Sequence, residues 1–402
     1  MAEMLQCFRK RANEAVLTRT RLYLLLSLCL CFPTYAAPGA PMPPLSQRAG
    51  PWTSGHVQGI AVDVRGGYIY YSFTNLLARY DFSGNLVGTL KGWNGHLGDL
   101  DFNPADGRIY GSLEYKKDNA FYIAVIDGNR IDRVGIDALS AGIIGTVHLP
   151  EVARDFAADA LGQLPAGAGE AVPPHRYGTS GIDGVGFGPR FGTVEGPDYL
   201  TVGYGVFSDT GRTDNDHQVL LQYDVRDWAR HIRPLDEARL HYSGPPVPHG
   251  KYFVRTGNTT YGIQNLAYDP ALRRWFLGAY RGRKDAFPNY TLFAVDALDR
   301  PRPGSLAGVP GPGGEGQARG LLLSLAGDGL SDRASGTRGW HQKADVGFQP
   351  IGHGLYYLAR DAVLDGKQAA ELTLMRWTGN PGQPFAPAAQ DAAGSSHSHT
   401  GN

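Results

Sequence analysis

Five times along this chain an apolar segment, a tight turn and a second apolar segment recur. The copies are "VQGIAVDVRGGYIYYSF" from Val57, "LGDLDFNPADGRIYGSL" from Leu97, "SGIDGVGFGP" from Ser180, "GIQNLAYDPALRRWFLGAY" from Gly262 and "ADVGFQPIGHGLYYLAR" from Ala344. In each, the first segment ends in an aromatic residue or Val followed by Asp, Asn, Gly or Gln, and Pro follows in most of them, which suits the start of a turn. A third strand follows each pair: "LARYDFSGN" from Leu77, "FYIAVIDGN" from Phe121, "QVLLQYDVRD" from Gln218, "YTLFAVDALD" from Tyr290 and "ELTLMRWTGN" from Glu371. Fainter fourth strands are "LVGTLK" from Leu86, "IGTVHL" from Ile144, "KYFVRT" from Lys251 and "GLLLSLAG" from Gly320. A small sheet of this kind cannot bury both faces by itself, so a repeated one stacks around an axis. The expected fold is all-β, a β-propeller of five four-stranded blades. Six or seven blades would require splitting the interval between Ile126 and Gly181, which holds a helix-like "EVARDFAADALGQL" from Glu151. No clear fourth strand follows Trp377, so the last blade is expected to borrow an N-terminal strand near Trp52 to Val57.

Composition agrees. Glycine supplies 55 of 402 residues, about twice its usual share, as many short strands and tight turns require. Lys plus Arg (38) equals Asp plus Glu (38), which argues against nucleic acid as a partner. At the N-terminus, Arg9, Lys10, Arg11, Arg19 and Arg21 precede an apolar run from Leu22 to Phe32, and Thr34-Tyr35-Ala36 offers small residues for cleavage. That run is shorter than the ~20 residues a spanning helix needs. Residues 1–36 therefore read as a signal peptide, with no stable membrane anchor and a secreted or periplasmic product. Cys7, Cys29 and Cys31 all lie in this leader, so the mature chain is expected to hold neither disulfide nor cysteine metal site. Residues 37–50 read as a Pro-rich linker, 51–381 as the propeller domain and 382–402, rich in Ala, Ser, Gly and His, as a disordered tail.

Strand signatures such as "QGIAVD" resemble secreted bacterial propellers of the NHL or regucalcin-lactonase kind, over about residues 50 to 380. The resemblance speaks to architecture; propellers host binding modules, hydrolases, lyases and lactonases alike. Five-bladed propeller glycosidases use three inward acids, but blade one, where those families place their base, here carries Gln58-Gly59.

First-to-second turns are mostly short, whereas second-to-third loops and blade connections are long and rich in charge and aromatics, which points to function on the latter face. Inner strands begin on that same face. Aligning the repeats puts a polar residue at or beside each start: Gln58, Asp99, Asp183, Gln264 with Asn265, and Asp345. His56 and His96 lie just before two of them, and "PHRYG" brings His175, Arg176 and Tyr177 ahead of Asp183. Such a ring can bind channel water only. It can also hold a metal: Asp99, Asp183 and Asp345 offer oxygen ligands suited to Ca²⁺. Or it can serve chemistry, with Asp99, Asp183, Glu114, His175 and Tyr177 as the candidate acid and base groups. Gln58, His96, Arg176, Arg255, Gln264, Asn265, Arg281 and Arg283 are the expected ligand contacts, the arginines forming a collar suited to a carboxylate or phosphate.

The leading expectation is an exported enzyme acting on an anionic, uronate-containing carbohydrate at the axis, by hydrolysis or β-elimination. The alternatives are a propeller that only binds a glycan or protein, and a Ca²⁺-dependent lactonase or phosphoesterase.

Overall fold

The computed structural model describes residues 41–165, 174–257 and 259–389. The leader (1–36), the first part of the expected linker and the end of the tail lie outside the described residues.

Within each repeat the period-two alternation of side chains sends one set into each of two neighbouring sheets. The result is five antiparallel blades around an axis, a β-propeller. Blade one runs Gly59–Asp63, Tyr68–Ser72, Leu76–Asp81 and Leu86–Lys91, with Ile136–Asp137 added in parallel at its rim. Blade two runs His96–Asn103, Arg108–Tyr115, Ala120–Ile126 and Ile144–His148, edged by Arg233–Pro234. Blade three runs Thr179–Gly188, Tyr199–Val206, His217–Tyr223 and Gly250–Arg255. Blade four has Thr260–Asp269, Arg274–Tyr280 and Leu292–Asp296, and blade five has Phe348–Gly352, Leu355–Leu364 and Lys367–Asn380. The long interval before Gly181 holds the helix Pro150–Ala157, which packs Val152, Ala153 and Phe156 against the core between blades two and three.

Three expectations need correction. "GLLLSLAG" is not the fourth strand of blade four. Its strand, Gln317–Leu323, pairs in parallel with Tyr252–Val254 and, with Arg302–Pro310, extends blade three outward, because Leu306, Val309 and Ala318 find their apolar cover in that core. Beside Leu292 in blade four lies Trp340 instead, bonded in both directions.

Closure uses an N-terminal strand, but it is Ser46–Trp52, paired with Gln368–Thr373, so residues 46–50 belong to the propeller and not to a linker. Gln383–Pro387, expected in the tail, pairs with Met375–Asn380 on the next stretch of the same long strand. Strands from both chain ends thus cover blade five. Gln47 ties this closure to blade one: its amide donates to the Asp81 carbonyl at 2.7 Å and its oxygen accepts from the Tyr71 hydroxyl at 2.7 Å. Among the described residues no helix is long and apolar enough to cross a membrane.

Candidate functional site

Inner strands crowd at the axis, where small residues let the backbones approach. A side-chain carbon on Gly59 would lie 2.6 Å from the Asp99 Cα. Polar side chains then cross-link the strands in layers. Deepest is Asp101, which accepts the Phe187 amide at 2.7 Å and the Gln349 side chain at 3.1 Å, joining blades two, three and five. Burial pushes its carboxyl up to about 7, against the pull of those donors. Next is Asp99, whose Oδ2 accepts the amides of Val185 and Leu266, each at 3.0 Å. Burial holds this carboxyl well above the usual range too. Hydroxyls of the second strands complete the layer: Ser72 donates to the Gly98 carbonyl and Ser112 to the Asp183 carbonyl, both at 2.6 Å. Asn265 donates to the Gln58 carbonyl at 3.0 Å.

Above these layers opens a cavity of about 560 Å³, on the face where inner strands begin and second strands end. Gln58, His96, Asp183, Gln264, Arg281 and Arg283 of the expected residues meet there, joined by His56, Lys116, Ser180, Thr260, Tyr261 and Tyr280. On one wall the His56 Nε2 lies 3.1 Å from the Tyr280 hydroxyl. Burial keeps His56 below its ordinary value, with Asp361 pulling the other way, so the ring is neutral near pH 7. Burial, then the fields of Asp345 and Asp183, push the Tyr280 phenol far up, so it keeps its proton. Tyr261, half exposed at the lip, meets Tyr280 edge-on with ring centres 6.1 Å apart. Its backbone is left-handed at φ 59°, and its carbonyl accepts from Gln264 at 2.6 Å.

Gln264 also donates to Asp183 Oδ2 at 2.9 Å. Asp183 and Glu114 are buried carboxylates that interact directly. Burial raises both; their mutual repulsion raises Asp183 further, while Lys116 works against the shift in each. Lys116 Nζ lies 2.8 Å from Glu114 Oε1. Burial disfavours this ammonium, but Glu114 and Asp183 outweigh it and keep Lys116 above its ordinary value. His96 is held down at about 4 by burial, with Lys116 and His56 adding to the effect. Gly181 is required here: with φ 116°, it leaves room for Glu114, whose Oε2 would lie 2.0 Å from an added side-chain carbon.

Other expected residues stand elsewhere. Asp99 does not line the cavity; both amide bonds lock it between strands, and it joins no metal-binding set with Asp183 and Asp345. Asp345 is buried near Tyr280, its carboxyl raised by burial to about 6, and is not in the cavity wall. Glu114 lines a neighbouring cavity of about 440 Å³, with His96 and Lys116 shared between the two. His175 and Tyr177 turn away from the axis. The tight turn Arg176–Gly178, with Tyr177 at φ 57°, sends Tyr177 into the core and stacks His175 on Phe156 at 3.9 Å. Arg176 lies over the Tyr177 ring, and Arg255 lies over Phe287 while donating to the Ser335 carbonyl at 2.8 Å. Asn265 sits beneath the cavity.

Lys116, Ser180, Tyr261 and Tyr280 were not singled out from sequence, nor was the spoke Asp101. Asp101 had a signal, since it lies two residues after Asp99 on one strand and such residues share a face.

No family model matches this chain, and no curated protein matches it. Among solved structures it is similar to a chain of the mitotic checkpoint complex at 13% identity and TM-score 0.31, covering 83% of this chain and 65% of that one. It is also similar to Sqt1 of Saccharomyces cerevisiae (10%, TM-score 0.29, 79% of this chain and 59% of that one). The Dos1 propeller is similar at 11% and TM-score 0.29, covering 83% of this chain and 72% of that one. The chain spans less than two thirds of the first two.

Proposed function

We propose that the axial cavity binds a carboxylate-bearing sugar and breaks it by β-elimination. The observation that carries this reading is the contact between His56 Nε2 and the Tyr280 hydroxyl in the same cavity as Arg281 and Arg283. Removing a proton next to a carboxylate is slow unless the carboxylate's charge is neutralised, and guanidinium groups do that. Neutral His56 takes the proton from the carbon beside the carboxylate, and the Tyr280 phenol, which keeps its proton, stands beside it as the acid. The carbon–carbon double bond forms while the bond to the departing glycosidic oxygen breaks, the Tyr280 phenol gives its proton to that oxygen, and the proton on His56 then passes to Tyr280 to restore both groups. No water is consumed. Tyr261 at the lip offers a flat face of the kind sugar rings pack against.

Hydrolysis is less well served. A glycosidase needs two carboxyl groups facing the bond, at least about 5 Å apart. Here the nearest pair, Glu114 and Asp183, has oxygen atoms within 4.8 Å of one another, and Glu114 is outside this cavity wall. The leader-like N-terminus supports export, which would bring the cavity to extracellular polysaccharide. Calorimetric titration with a free uronic acid tests recognition: Arg281→Gln should weaken binding at least ~10-fold, and the matching neutral sugar should bind no better to wild type than to the variant. Equal binding of the charged and neutral sugars would remove the basis for this assignment.

A further inference from the structure

Three donor atoms converge in the partition between the two cavities. Strand pairing in blade two sets His96 opposite Glu114, and Asp183 arrives from the inner strand of blade three. The His96 Nδ1 is 3.6 Å from Glu114 Oε1 and 3.9 Å from Asp183 Oδ1, and the donor atoms of the three residues all lie within 4.8 Å of one another. Ligands held about 2.0–2.1 Å from a tetrahedral ion sit roughly 3.4 Å apart, so side-chain shifts of about an ångström or less complete such a site. Among the described residues, no other set of three His, Cys, Asp or Glu donors is this close.

The donors are also available. His96 Nδ1 is buried and makes no hydrogen bond, and Glu114 Oε1, on a side chain only 1% exposed, is met by the Lys116 ammonium at 2.8 Å. Leaving the imidazole nitrogen unpaired is costly, and natural structures seldom do so without a reason. The remaining oxygens are fixed: Glu114 Oε2 accepts the Ile182 amide at 3.1 Å, and Asp183 Oδ2 accepts from Gln264. Supporting bonds of this kind orient metal ligands. The charge at this spot is met by Lys116, whose side chain is 44% exposed and has solvent to move into.

We propose that His96 Nδ1, Glu114 Oε1 and Asp183 Oδ1 form a three-ligand site for a divalent first-row transition ion, and that Lys116 is the resident cation this ion displaces. One imidazole and two carboxylates suit Zn²⁺, Mn²⁺ or Fe²⁺ better than Ca²⁺, which prefers oxygen throughout. Three protein ligands leave a coordination position for water or ligand, and His96 and Asp183 both border the axial cavity. Ion binding here is independent of whether the cavity acts on a sugar.

The test is calorimetric titration of the purified, chelator-stripped full chain with Zn²⁺, with Co²⁺ absorption spectra as a report on ligand geometry. Wild type should bind one ion. His96→Ala should lose at least ~100-fold in affinity, since supporting residues alone account for 10- to 100-fold. Lys116→Met, which removes the competing ammonium, should bind about tenfold more tightly than wild type; the assignment of Lys116 is wrong if it binds equally or more weakly. Melting curves in chelator confirm that each variant is folded. Tight one-to-one binding that survives His96→Ala, or binding of Ca²⁺ alone, would overturn the site. Absence of binding in both wild type and Lys116→Met would do the same.

Discussion

Asp99, in the inner strand of blade two, accepts the amide proton of Leu266, in the inner strand of blade four, at 3.0 Å. These blades are not neighbours, so the bond spans the axis. The same oxygen takes the Val185 amide of blade three. An acid that looks catalytic in the sequence is here a spoke between three blades. Asp99→Ala should leave two buried amides unpaired and cost about 3 kcal/mol or more, whereas Asp99→Asn keeps an acceptor oxygen and should cost under about 1. Urea unfolding of the two variants distinguishes them. An alanine variant as stable as the asparagine one would end the spoke assignment.

Asp101 gives the fold a pH dependence of defined sign. Burial raises its carboxyl to about 7 in the folded chain, above its ordinary value of 3.8. The folded state therefore binds the proton more tightly than the unfolded state. Stability from this group is complete below about pH 4 and is lost as pH rises through about 7. The shift corresponds to at most on the order of 4 kcal/mol. Asp101→Asn cannot titrate, so between pH 4 and pH 8 wild type should lose stability relative to that variant, as measured by denaturant midpoints. A constant difference across the range would mean that Asp101 is ionised throughout.

Ring closure depends on Gln47. Its two bonds, to the Asp81 carbonyl and from the Tyr71 hydroxyl, link the N-terminal strand to blade one together with the Gly50 amide, which donates to the Tyr80 hydroxyl at 3.0 Å. Gln47→Ala should cost about 1–3 kcal/mol. Limited proteolysis should then cut first at the Ser46–Trp52 strand. By contrast, the exposed Arg48–Glu371 pair on the same strand should contribute almost nothing when Arg48 is replaced. Unchanged stability in Gln47→Ala would show that the closure does not depend on Gln47.

The strand pairs were legible because alternation and turn residues are local signals, and five copies reinforced one another. Edge choice was not local. Leu321, Leu322 and Leu323 read as a strand, but nothing in an apolar run states which sheet will accept it, and blade three took it. The closing strand, "SQRAGPW", carries Gly50 and Pro51 and lacks alternation, so its place was misjudged by several residues. At the site, the rule that strand starts meet at the axis located Gln58, Asp183 and Gln264. Nearness in sequence misleads for His175 and Tyr177, because two consecutive left-handed residues, Tyr177 and Gly178, redirect the chain before the strand begins. Tyr261, Tyr280 and Lys116 acquire their roles only when different blades converge, and no single segment shows that.

The most direct measurement is paired detection of products from a panel of uronate-containing oligosaccharides. Ultraviolet absorbance reports the new carbon–carbon double bond, and a reducing-end assay reports every cleavage. Elimination at the axial cavity predicts that the two signals rise together, mole for mole, and that both fall at least ~100-fold in Tyr280→Phe while its melting temperature stays close to wild type. Reducing ends without absorbance, or full activity in Tyr280→Phe, would contradict it.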